Sequence, residues 1–134
     1  MALTGGCVCG GVRFEVTAPL ESAGWCHCTR CQRRTGVHAS ASGSTVRGSF
    51  RIVRGEDLVT EFTPPGGFVK AFCSVCGGHL YSRRPDGWEW VGVRLGAVDG
   101  DPGIRPEWHQ HTATAAAWQP LPDDGLPRFP GPRS

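Results

Sequence analysis

Cys26-His27-Cys28-Thr29-Arg30-Cys31 places three thiols within six residues, spaced so that all three converge on one point. A Cys-x-x-Cys pair wraps a metal through a tight turn, and the Cys two residues upstream adds a third sulfur from the same loop. Zinc takes four ligands, so three leave one position to fill. Another part of the chain closes it, or it is kept for water or substrate; the first choice makes a structural site and the second a chemical one. Two more cysteine motifs bear on that choice. In Gly6-Cys7-Val8-Cys9-Gly10-Gly11, residues two apart in an extended segment share a face, so Cys7 and Cys9 address one partner. Phe72-Cys73-Ser74-Val75-Cys76-Gly77-Gly78 is a knuckle whose backbone amides must aim at the sulfurs, and Gly77 is read as the residue that avoids side-chain bulk after the second Cys.

Seven cysteines cannot all pair as disulfides, whereas a four-ligand site and a three-ligand site use every one. Cys7, Cys9, Cys73 and Cys76 fit a closed structural zinc that joins the start of the chain to its middle. Cys26, Cys28 and Cys31 are then the remainder, a second zinc site with a free position. A histidine from His27, His38, His79, His109 or His111 would close it and make both metals scaffolding. A free position would instead take a thiol and hold it ionised near neutral pH, which suits addition of sulfur to an electrophilic carbon, or the reverse. Arg30, Arg33 and Arg34 follow this cluster, either as a solvated face or as contacts for the carboxylates of an anionic thiol. Arg30 and Arg33 are the candidate substrate contacts.

Around the motifs the chain reads as strands and turns. Val12, Phe14 and Val16 alternate with polar residues as a half-buried strand. Further strands are expected over 22–25, 37–41, 50–53, 58–62, 68–72, 79–83, 88–95 and 107–111, broken by glycine and proline turns. The strand over 88–95 is apolar on both faces and reads as central. A short helical turn over 32–35 should stop at Gly36. After about residue 119 the prolines exclude helix, and an irregular tail should lie on the body, pinned by Trp118, Leu126 and Phe129 and fraying near Ser134.

The totals agree. A chain of 134 residues makes one domain, 1–134, with a real core. The 20 glycines and 11 prolines belong to a turn-rich, mainly β protein. A net charge of +2 gives no polyanion field, so a nucleic-acid partner is not expected. The first residues lack a secretory pattern and no apolar run reaches spanning length, so a cytoplasmic protein without a membrane partner is expected.

The three Cys motifs, with Arg13-Phe14, Gln32-Arg33-Arg34-Thr35-Gly36, His79-Leu80 and the late Pro106, His109, Trp118 and Leu126-Pro127-Arg128-Phe129, resemble the glutathione-dependent formaldehyde-activating enzyme family, which includes the centromere protein V type domains. The resemblance implies an Mss4-like fold of several small antiparallel sheets around zinc. It implies Cys7, Cys9, Cys73 and Cys76 on the structural metal and Cys26, Cys28 and Cys31 on the catalytic one. The implied activity is that of a carbon–sulfur lyase joining glutathione, or another thiol, to formaldehyde or another aldehyde as an adduct such as S-hydroxymethylglutathione, or cleaving it. The reading from another class is a non-catalytic zinc module that binds a protein.

Overall fold

Two sheets divide the chain in the computed structural model, which describes residues 2–133. Met1 and Ser134, and the fraying expected there, lie outside the described residues. The smaller sheet holds β1 (Leu3–Gly6), β2 (Arg13–Val16) and β5 (Phe50–Arg54), all antiparallel with β2 in the middle. The larger holds β3 (Ser22–Cys26), β4 (Ser40–Ser44), β6 (Val59–Phe62), β7 (Val69–Cys73), β8 (His79–Arg83), β9 (Val91–Arg94) and β10 (His109–Gln110). Its order is β10-β3-β4-β9-β8-β7-β6. The fold is mainly β, as expected, and its strands form two sheets. One pair in the larger sheet is parallel: β10 runs beside β3, His109 opposite Trp25 and Gln110 opposite Cys26. The connection after β9 is long enough to carry the chain back for that pairing.

The core lies between the sheets. Val12, Phe14 and Val16 are buried by the alternation read from the sequence, and they meet Ala71, Leu80, Tyr81, Val91 and Val93 of the larger sheet. β9 is central, between β4 and β8, and all four of its residues are buried. It starts at Val91, later than expected, because Trp88 stays half-exposed and packs its ring on Phe50 and Tyr81 instead.

Two elements moved relative to the sequence reading. Among the described residues the one α-helix, α1 (Thr29–Thr35), begins at Cys28, whose sulfur accepts the Cys31 amide at 3.3 Å, and ends at Gly36 with φ 72°. The expected turn over 32–35 is only its second half. Strand β4 lies three residues beyond the expected 37–41, because Ser40-Ala41-Ser42-Gly43-Ser44 has no apolar residue larger than alanine to mark it.

Residues 119–133 are irregular and are tied down by backbone hydrogen bonds. His109 N donates to Pro127 O at 2.9 Å, Phe129 N donates to His109 O at 2.8 Å, and Thr112 N donates to Phe129 O at 3.0 Å. Trp118, expected as a pin, is 66% exposed. Among the described residues no helix is long and apolar enough to cross a membrane.

Candidate metal centres and an adjoining cavity

Cys7 follows β1, Cys9 sits in the turn before β2, Cys73 ends β7 and Cys76 lies in the turn before β8. Their four sulfurs all lie within 4.8 Å of one another. Cys7 Sγ and Cys9 Sγ are 3.6 Å apart, and Cys9 Sγ and Cys73 Sγ are 3.9 Å apart. A tetrahedron with zinc–sulfur bonds of about 2.3 Å has sulfur–sulfur edges of about 3.8 Å, so the set is dimensioned for that metal. Backbone amides point at the sulfurs: Val12 N to Cys7 at 3.2 Å, Gly11 N to Cys9 and Val75 N to Cys73 at 3.4 Å each. Amides of Cys9 and Gly78 lower the Cys76 thiol to about 6, toward the thiolate that a metal needs.

The glycines of this knuckle differ from the sequence expectation. No atom lies within 4 Å of where a Gly77 Cβ would stand, so bulk is not excluded there; the requirement is its φ of 76°. The close approach is at Gly78, where a Cβ would stand 3.2 Å from Val8 N and 3.3 Å from Cys7 Cβ.

In the second cluster Cys26 ends β3, Cys28 caps α1 and Cys31 lies in its first turn, and the three sulfurs fall within the same 4.8 Å limit. Among the described residues no histidine or carboxylate joins them. His27 Nε2 instead shares a 2.8 Å hydrogen bond with His109 Nδ1, and His109 Nε2 shares one of 2.8 Å with Asp124 Oδ2. Both rings are buried, so the loop between two of the cysteines is bolted through His109 to the tail. His38 stands between the rings of Trp25 and Trp118. Hydrogen bonds from the Cys26 and Cys28 thiols draw the Cys31 thiol well below its ordinary range, with Ser40 and the charge of Arg94 adding to the effect. Hydrogen bonding to the Cys28 and Cys31 sulfurs, with burial, pushes Cys26 up. A three-thiol donor set backed by a cation suits zinc, whose three-thiolate complex keeps one net negative charge.

A cavity of about 360 Å³ opens beside Cys26 and Cys31. Its floor is one face of the larger sheet. Residues two apart along β4 put Ser40, Ser42 and Ser44 on that face, and register carries it across to Arg94 opposite Ser42 and Lys70 opposite Ser82. Trp90, Phe68 and Trp108 form its walls. Trp108 packs closely on Gly24, where a Cβ would stand 2.1 Å from its Cε2. Arg94 is 9% exposed; its Nη1 donates to Ser42 Oγ at 2.6 Å, while Nη2 has no protein acceptor. The Trp108 indole Nε1 also lacks one. Neither Arg30 nor Arg33 lines this cavity: Arg30 Nη2 donates to Pro65 O at 2.8 Å, and Arg33 borders a separate hollow beside Trp118. The sequence reading missed Arg94 and Lys70, although a charge ending the apolar run Val91-Gly92-Val93 and another inside Val69-Lys70-Ala71 were the available signals.

The model of a family described as glutathione-dependent formaldehyde-activating enzyme matches residues 2–114. A Halomonas elongata protein carrying the name "Putative glutathione-dependent formaldehyde-activating enzyme" is 30% identical over 115 residues, which cover 80% of this chain and 72% of that protein. A crystal structure of a Rhodobacter sphaeroides protein superimposes with a TM-score of 0.61 at 24% identity, over 94% of this chain and 98% of the other, a likeness of fold.

Proposed function

The chain belongs to the glutathione-dependent formaldehyde-activating enzyme family, with its Mss4-like fold, and on that premise we propose that it is a zinc-dependent carbon–sulfur lyase that forms or cleaves a thiol–aldehyde adduct such as S-hydroxymethylglutathione. The observation that carries this reading is the pairing of an incomplete three-thiol set with a cavity that two of its cysteines, Cys26 and Cys31, help to line. Cys7, Cys9, Cys73 and Cys76 would hold a structural zinc, and Cys26, Cys28 and Cys31 a second one. Bound there, zinc supplies the charge that keeps a thiol ionised near neutral pH.

The protein's own residues do the rest. Cys28, as the helix cap, fixes the start of α1 and so the position of Cys31. The His27–His109–Asp124 chain holds the loop between Cys26 and Cys28 against the body. Trp90, Phe68 and Trp108 give the cavity aromatic surface, a less polar surround in which electrostatic interactions are stronger than in water. In the forward direction the thiol sulfur donates its electron pair to the aldehyde carbon and a C–S bond forms. The C=O π pair moves to oxygen, which receives the proton lost by the thiol. Nothing is oxidised or reduced, and the reverse path breaks the same bond.

Cobalt substitution tests the reading. The protein should take two Co²⁺ per chain, and glutathione should change the visible spectrum of one and leave the other unaltered. Exchange between free and adduct formaldehyde, followed by proton NMR, should be faster with the zinc protein than without. A spectrum indifferent to every thiol, together with unaccelerated exchange, would remove the lyase in favour of a zinc module.

A further inference from the structure

The cavity beside Cys26 and Cys31 holds more positive charge and more free donors than the metal site consumes. Arg34, Lys70 and Arg94 each feel the Cys31 charge, and Lys70 and Arg34 each feel Arg94. The cationic side chains that line the cavity are Lys70, Arg94 and Arg133, so a zinc–thiolate group of one net negative charge leaves two positive charges over. Burial already holds Arg34, Lys70 and Arg94 below their ordinary basicity. Among the described residues lining the cavity none is acidic, so the surplus is not balanced from within.

Its hydrogen-bonding inventory leans the same way. Arg94 Nη2 and Trp108 Nε1 are buried donors without a protein acceptor, and Lys70 Nζ makes one long bond of 3.3 Å to Ser82 Oγ. A guanidinium nitrogen left unpaired in a buried place is costly unless a ligand completes it. The ligand that answers several donors and a surplus of positive charge is an acceptor-only anion, and a carboxylate matches the guanidinium geometry. A thiolate in the fourth metal position supplies one negative charge and a carboxylate at Arg94 the second.

We propose that Arg94 and Lys70 form a carboxylate subsite, so that the substrate thiol is one carrying a carboxylate a short chain away from its sulfur, with Trp108 Nε1 as an added donor. The assignment rests on the reading of Cys26, Cys28 and Cys31 as open to a thiol, and it places the carboxylate on the sheet floor rather than at Arg30 or Arg33.

The test is calorimetry on the zinc-loaded protein with three probes: 3-mercaptopropionate, its uncharged counterpart 3-mercaptopropanol, and thiol-free succinate. The carboxylate thiol should bind at least tenfold more tightly than the uncharged one. Arg94→Gln and Lys70→Gln should each abolish most of that preference while keeping zinc content and the affinity for mercaptopropanol. Lys70→Gln carries the test if Arg94→Gln does not fold. Equal affinity for the two thiols overturns the subsite and leaves the open metal site standing. Variants that weaken both thiols equally also overturn it, because Arg94 and Lys70 then serve only to balance the thiolates. If neither thiol binds but succinate does, and Arg94→Gln removes it, the subsite stands and the lyase reading fails. If no probe binds, the subsite is wrong.

Discussion

Replacing Cys73 by alanine should leave the protein unfolded at room temperature, whereas the same change at Cys28 should leave it folded. Cys73 is fully buried at the end of β7, and its sulfur meets that of Cys9, which is 64 residues away in sequence. A closed zinc–thiolate site contributes about 10 to 16 kcal/mol of apparent folding free energy, against a total stability of about 5 to 15 kcal/mol for a domain. Loss of that site therefore removes all or nearly all of the margin. The ligands at Cys26, Cys28 and Cys31 come from one short segment, and closing a short local loop constrains the unfolded chain much less. Cys28 also caps α1, a contribution of about 1 kcal/mol, or roughly 4 °C in melting temperature for a chain of this size. The assay is metal content per chain with far-ultraviolet circular dichroism melts at saturating zinc. Cys28→Ala should bind one zinc fewer and melt cooperatively several degrees lower, while Cys73→Ala should show no cooperative transition. If Cys28→Ala unfolds as completely as Cys73→Ala, the division into a closed scaffold and an open site is wrong.

Other perturbations reach different parts of the structure. His109→Ala removes a fully buried ring and both of its side-chain links, and should cost about 2 to 4 kcal/mol and expose residues 119–133 to protease; an unchanged melt and cleavage pattern would contradict the bolt. Burial holds His27 and His79 below the usual imidazole value, so the unfolded chain binds more protons than the folded one as pH falls through about 6.5. Stability should be full above that pH and decline as the pH falls below it, and His79→Gln should flatten the decline in denaturant melts at saturating zinc. Gly24→Ala places a Cβ 2.1 Å from Trp108, should cost about 1 to 3 kcal/mol, and should move the indole off the cavity wall; tryptophan emission unchanged from the parent would refute that packing.

The cysteine sets were legible because ligand spacing is a local property: two residues apart on an extended segment, or three across a turn, converge whatever the rest of the chain does. Phe14 and its neighbours were legible for a similar reason, since alternation marks a buried face. The cavity was not, because register assembles it. Arg94, Ser42, Lys70 and Ser82 meet only through the pairing of β4 with β9 and of β7 with β8. Sequence proximity pointed to Arg30 and Arg33, which are three or fewer residues from a metal-site cysteine yet face elsewhere. The run Ser40-Ala41-Ser42-Gly43-Ser44 misled the strand boundary because it lacks apolar bulk. That same lack is what a sheet needs where a cavity, rather than a side-chain layer, covers it. His27 and His109 were separately visible, but their bond depends on a parallel strand pair that no local pattern announces.

The chain from His27 through His109 to Asp124 has a consequence for the order of events during synthesis. The four sulfurs of the closed set can assemble as soon as Cys76 has left the ribosome. The loop of the second set gains its backing only after Asp124 follows, which at ordinary translation speed is roughly 2 to 10 s later. A nascent chain thus passes through an interval in which one cysteine set is fastened and the other is not, so the sulfurs of Cys26, Cys28 and Cys31 are the ones most open to a wrong metal or to oxidation while the protein is being made.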